Sequence, residues 1–243
     1  MAGEESLADA FAQVTAVLRS EFPVEELLDR LVGGCVAGLE ADAAGVVVAD
    51  ARGDLQPSAT TGGPVRTLGL LQLRWQEGPA PDSHRSGQAV VVRAAGVHRR
   101  WPRFGPECAR AGFGGVLAVP MRGPEQVSGV VTLFQRSSAG FAPATVRSAQ
   151  ALADLGATGL LQREQSRLVE QLRHALSSRV VIEQAKGVLA ERFSRDTEQA
   201  FEVLRGFARS GNHRLTEVAR AVVDGIPARP AAEREPVRAA VGQ

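Results

Sequence analysis

The sequence predicts an α+β domain built on a mostly antiparallel sheet, followed by a compact all-α module of three helices. Three observations carry this. Residues 22–162 read in order as helix, two strands, loop, strand, loop, two strands and helix, with helices packed on one face of the sheet. Between residues 182 and 223, apolar side chains recur three times at helical spacing. The chain's single lysine, Lys186, stands in that second region, whereas every other basic residue is an arginine.

The first helix is expected over residues 6–20, where Leu7, Phe11, Val14 and Leu18 share a face and Ser6 serves as a cap. A second helix after Pro23 carries Leu27, Leu28, Leu31, Val32 and Cys35 on its apolar side. Gly45–Ala49 is a β-branched run, the turn Asp50–Asp54 follows, and Leu55–Thr61 is the return strand. Leu68–Leu73 is apolar and fits helix or strand alike. Residues 76–88 read as a polar loop rich in Gly and Pro, and 94–112 as irregular. Between them Ala89–Arg93 is a strand. Gly115–Pro120 and Gln126–Phe134 form an antiparallel pair around a Gly123-Pro124 turn. A long helix begins at Ala142 and runs toward residue 192. Within it Leu161, Leu168, Leu172 and Ala175 approximate a coiled-coil seam of about two heptads.

Three shorter stripes then build the module. Ile182, Ala185, Val188, Leu189 and Phe193 form the first. Ala200, Val203, Leu204 and Phe207 form the second, opened by an Asp196…Gln199 capping pair and closed by Gly211 in a left-handed cap. Leu215, Val218, Ala219, Val222 and Val223 form the third, ending before Gly225. The alanines at 185, 200 and 219 allow close helix approach. On these grounds alone a plain dimerisation bundle is the favoured reading over a binding module.

Composition narrows the partners. A net charge of +1 argues against a broad basic surface gripping duplex nucleic acid, while leaving room for a local patch. No apolar run reaches membrane-spanning length, so no membrane partner is expected. The start Met1-Ala-Gly-Glu-Glu lacks the features of a signal peptide, and a cytoplasmic location is expected. Two cysteines, Cys35 and Cys108, make no disulfide or metal framework, and no metal spacing occurs.

The segments Gln76-Glu-Gly-Pro79, Gly87–Val92, Arg100-Trp-Pro-Arg-Phe104, Val116–Pro120 and Gly129–Phe134 together resemble a GAF domain of the actinobacterial type that precedes an ANTAR domain. The resemblance implies a GAF-like antiparallel sheet flanked by helices, with a small-molecule pocket on one face. Candidate lining residues are Trp75, His84, Arg85, His98, Arg99, Trp101, Phe104 and Phe113. The cyclic-nucleotide signature of such domains needs Asn and Lys, and this segment has neither. Bilin attachment needs a cysteine in a context that Cys35 and Cys108 do not supply. A GAF domain without ligand, used for dimerisation or docking, stays open.

The tail resembles an ANTAR domain through Arg179, Ile182-Glu-Gln-Ala-Lys-Gly187, Phe193, Ala200-Phe201, Leu204-Arg205, Ala208, Asn212, Leu215 and Glu217-Val-Ala219. That resemblance implies a dimeric antitermination regulator which binds a nascent leader RNA carrying two small hairpins. Arg179, Lys186 and Arg214 are the expected phosphate contacts, with Gln184 and Asn212 as base contacts. The expected layout is an N-terminal amphipathic helix (1–21), a GAF-like sensor (22–162), a connecting helix (163–178), the ANTAR domain (179–226) and a disordered tail (227–243). The connecting helix is expected to join sensor to output rigidly. Neither catalysis nor a cofactor is expected: sulfoxide-reductase chemistry on a GAF scaffold needs a reactive thiolate, and Cys35 reads as a core residue. The alternative is a GAF-containing adaptor whose helical tail binds a protein partner.

Overall fold

The computed structural model describes residues 2–225; the tail expected at 227–243 lies outside the described residues. The chain divides into two compact units, residues 1–165 and 166–243.

The N-terminal unit opens with α1 (Ala2–Leu18) and α2 (Val24–Gly38). Helix α1 begins before Ser6, so Ser6 is not its cap. Its hydroxyl instead donates to the Ala37 carbonyl at 2.6 Å and ties α1 to α2. Next come β1 (Ala43–Ala49), β2 (Leu55–Thr60), α3 (Gly63–Trp75), α4 (Pro79–Ser86), β3 (Val90–Arg93), α5 (Ala94–Arg100), α6 (Phe104–Arg110), β4 (Gly115–Arg122) and β5 (Val127–Gln135). The five strands run in the order β2-β1-β5-β4-β3, with antiparallel neighbours throughout. Asp50 shapes the β1–β2 turn, accepting from the backbone N–H groups of Arg52 and Asp54.

Alternation along the strands sends side chains into two cores. Val46, Leu117, Val119, Met121, Val131 and Leu133 meet α1, α2 and the first part of α7 (Pro143–Phe193). Val47, Val116, Ala118, Val130 and Phe134 meet residues of α3 to α6, among them Leu68, Trp101 and Phe104. Helices therefore cover both faces, not one. The difference arises at residues 63–110, where the stretch left open between helix and strand at 68–73 belongs to helix α3 and the loops expected at 76–88 and 94–112 hold α4, α5 and α6.

Those helices are capped from far along the sequence. The buried Gln72 side chain accepts from the Ala80 N–H at 2.8 Å and starts α4. Gly78 precedes it at φ 137, where a side chain would also collide with Gln72. Glu77 accepts from the backbone N–H groups of Arg103 and Phe104 at 2.6 and 3.0 Å, which caps α6.

The C-terminal unit consists of the remainder of α7 with α8 (Thr197–Ser210) and α9 (Leu215–Val223). Ala185, Leu189, Ala200, Leu204, Ala208, Val218 and Ala219 form its core, with all three expected alanines buried. Asp196 caps α8 by accepting from the Gln199 N–H at 2.7 Å. Gly211 is not left-handed; its φ is −92. Asn212 takes the left-handed position at φ 51, which asparagine tolerates better than most residues.

Gly129 sits in β5 between β1 and β4, where a Cβ would overlap the Val47 carbonyl oxygen. Gly129→Ala is expected to destabilise the N-terminal unit by about 1–3 kcal/mol in urea unfolding. An unchanged midpoint would show that the strands part without cost.

Candidate functional site

Two places were expected to carry function. In the N-terminal unit, Trp101 and Phe104 are core residues in edge-to-face contact, with ring centroids 6.0 Å apart. Asp82 is the hub beside them. Its carboxylate accepts the Trp101 indole N–H at 3.1 Å and pairs with Arg85 and with Arg100, the latter at 3.0 Å. Trp75 lies under the Arg103 guanidinium at 4.9 Å. Through Trp101 and Arg100, Asp82 thus fastens α4 to the α5–α6 segment. His84 is partly buried on α4, and His98 is exposed on α5.

A cavity of about 20 Å³ lies elsewhere, between α3 and strands β1, β2 and β5. Gly45, Thr60, Arg66, Gly69, Gln72 and Thr132 are among its lining residues. Space of that size holds about one or two water molecules. None of Trp75, His84, Arg85, His98, Trp101 and Phe104 lines it. Periodicity gave no hint of Gln72 or Thr132, because each is a polar residue inside an apolar stretch.

In the C-terminal unit, Arg179 and Lys186 are seven residues apart on α7, two turns, and so share a face. Gln184 precedes Lys186 by two residues and faces away from it. Asn212 and Arg214 belong to the exposed α8–α9 turn, with Arg214 at the N-cap position of α9. Lys186 is held closely: its ammonium pairs with Glu183 at 3.0 Å and lies 5.4 Å from the centre of the Phe201 ring. Arg205 lies 5.5 Å from the same ring and pairs with Glu202. Phe201 is thus flanked by two cations. Phe201 and Arg205 were visible in the sequence as pattern positions, but their joining with Lys186 depends on the packing of α7 against α8.

A GAF domain model matches residues 23–160, and an ANTAR domain model matches residues 170–223. The chain belongs to the GAF family and carries an ANTAR domain. Its GAF domain is similar in fold to solved structures of low sequence identity. One is the GAF domain of a phosphoenolpyruvate-protein phosphotransferase from Coxiella burnetii, 21% identical, with TM-score 0.56 over 68% of this chain and 98% of that one. The corresponding domain from Acinetobacter is 16% identical, with TM-score 0.51 over 66% and 96%. A free methionine-R-sulfoxide reductase from Neisseria meningitidis, solved with its substrate, is 16% identical, with TM-score 0.53 over 66% and 91%. At these identities the likeness shows the fold alone. No curated protein matches the chain. Among the described residues no helix is long and apolar enough to cross a membrane.

Both thiols of the GAF domain are buried, and desolvation pushes each up to about 12. At pH 8 roughly one thiol in ten thousand is then ionised. Native protein is expected to react with an aromatic disulfide reagent only as fast as it unfolds. Because the folded state favours the neutral thiol, its contribution is complete below the ordinary value of 9.0 and is lost as pH rises toward 12. Rapid labelling of native protein at pH 8 would contradict this burial.

Proposed function

We propose that this protein is a signal-responsive transcription antitermination regulator, in which the GAF domain governs an ANTAR domain that binds a nascent two-hairpin RNA. Holding the RNA in that form keeps a terminator hairpin from assembling. The observation that carries the reading is the ANTAR match at 170–223, together with the cation-flanked Phe201 and the exposed Arg179. A clamped aromatic beside guanidinium and ammonium groups suits RNA, whose unpaired loops offer stacking faces and phosphates.

The reading includes a homodimer. Between residues 161 and 180 of α7, Leu161, Leu168, Val169, Leu172, Leu176 and Val180 are all exposed. They recur mostly at spacings of three and four, so one stripe of a solvated helix about 30 Å long is apolar. Pairing with the same stripe of a second copy removes that stripe from water, and two protomers supply one bundle per RNA hairpin. The location is cytoplasmic, where transcripts are made. Burial of both thiols argues against thiolate chemistry in the GAF domain.

A protein-docking role for the bundle is the competing reading, favoured by Val203 and Phe207 standing 46% and 45% exposed on α8. Mobility-shift titration with a two-hairpin RNA separates the two. Arg179→Ala is expected to weaken binding at least about tenfold, near 1.4 kcal/mol, with stability unchanged. Lys186→Ala is expected to weaken it similarly and to lower bundle stability by about 0.5–1 kcal/mol through loss of the Phe201 contact. Leu172→Glu with Leu176→Glu is expected to sediment as monomer and to lose tight binding. A wild-type dimer that ignores hairpin RNA would favour the docking role.

A further inference from the structure

We propose that the arginine-rich layer α3–α6 of the GAF domain is a second RNA-contacting surface, engaging phosphates in addition to those held by the ANTAR bundle; this rests on the RNA reading above. The charge of the domain is divided between the two faces of its sheet. Residues 63–112, which include α3 to α6, carry eight arginines and three carboxylates, net +5. Residues 6–42, which include most of α1 and all of α2, carry seven carboxylates and two arginines, net −5. These segments pack into the two separate cores on opposite faces of the sheet. An arginine surplus from codon supply would fall on both alike.

All eight arginines of the basic layer are exposed, and its three carboxylates are already occupied. Asp82 serves both Arg85 and Arg100, Glu107 pairs with Arg110, and Glu77 caps α6. Arg66 and Arg74 stand eight residues apart on α3, about 12 Å along one side of the helix. Arg103 holds its guanidinium over the Trp75 ring, 4.9 Å from its centre. Guanidinium groups take phosphate oxygens in pairs and stack on bases, which suits RNA better than a lysine surface would.

The ANTAR bundle gives the reason for choosing RNA over an acidic protein. Residues 174–225 hold eight basic and seven acidic side chains, net +1. Affinity for a polyanion grows with the phosphates neutralised. A chain whose output bundle is almost neutral has its surplus of positive charge on the GAF layer, where phosphates can be met.

The test uses the full chain and a fluorescein-labelled RNA with two hairpins joined by an unpaired linker. Anisotropy is read across a salt titration for wild type and for Arg66→Glu with Arg74→Glu; Arg66→Gln with Arg74→Gln guards against repulsion or misfolding, checked by circular dichroism. Each lost single-strand phosphate contact lowers the salt slope by about 0.7, so both double variants should lower it by about 1.4. Ultraviolet cross-links should map to α3–α6 peptides as well as to the ANTAR domain. An unchanged slope with affinity retained would overturn the second surface and leave the ANTAR reading standing. Absence of binding by wild type would overturn both. Loss of self-association in the variants, at unchanged slope, would assign the layer to the acidic face of a second copy and overturn the RNA contact.

Discussion

Two-sided burial of the central strands is the constraint on which the GAF domain depends. Residues 115–121 of β4 are buried without interruption, as are residues 129–134 of β5. A strand buried on both faces needs helices above and below it. One cover comes from α1, α2 and the start of α7, which are long and strongly apolar on one side. The other comes from α3 to α6, three of which are eight residues or shorter. The second cover is thin: α4 buries only Pro79, Ala80, Pro81 and Ser83, and the layer leaves its arginines on the outside. The division of charge across the sheet follows from that arrangement.

Much of this was legible in the chain. The β-branched runs at 45–49, 89–93, 115–120 and 126–134 correspond to strands because their local preference and their burial agree. The Asp196…Gln199 cap was legible for the same reason, since all its information lies within four residues. Helices α4, α5 and α6 were not. Their starts are stabilised by Gln72 and Glu77 and their mutual attachment by Asp82, partners 8, 26 and 18 residues away. Local composition alone, Pro-Ala-Pro-Asp-Ser-His-Arg-Ser in α4, reads as loop. Trp101 and Phe104 stand in a segment that reads as irregular and so as pocket lining; Trp101 directly follows α5, Phe104 opens α6, and both are core.

The candidate RNA contacts divide in the same way. That Arg179 and Lys186 share a face follows from helical spacing, but the enclosure of Lys186 between Glu183 and Phe201 depends on how α8 packs on α7. Lys186 is thus engaged by Glu183 and Phe201, whereas Arg179 stands exposed. Asn212 has a backbone reason for its identity, its left-handed conformation, independent of any base it contacts. In the GAF domain the cavity beneath α3 is about 20 Å³, and the α4–α6 layer is tied through Asp82.

The most direct test of the central claim is in vitro transcription through a leader in which a two-hairpin element overlaps an intrinsic terminator. Purified protein is predicted to raise read-through in proportion to dimer concentration, and to do nothing on a leader whose hairpin loops are replaced. Equal termination with and without protein, on a template whose RNA the protein demonstrably binds, would contradict the antitermination account.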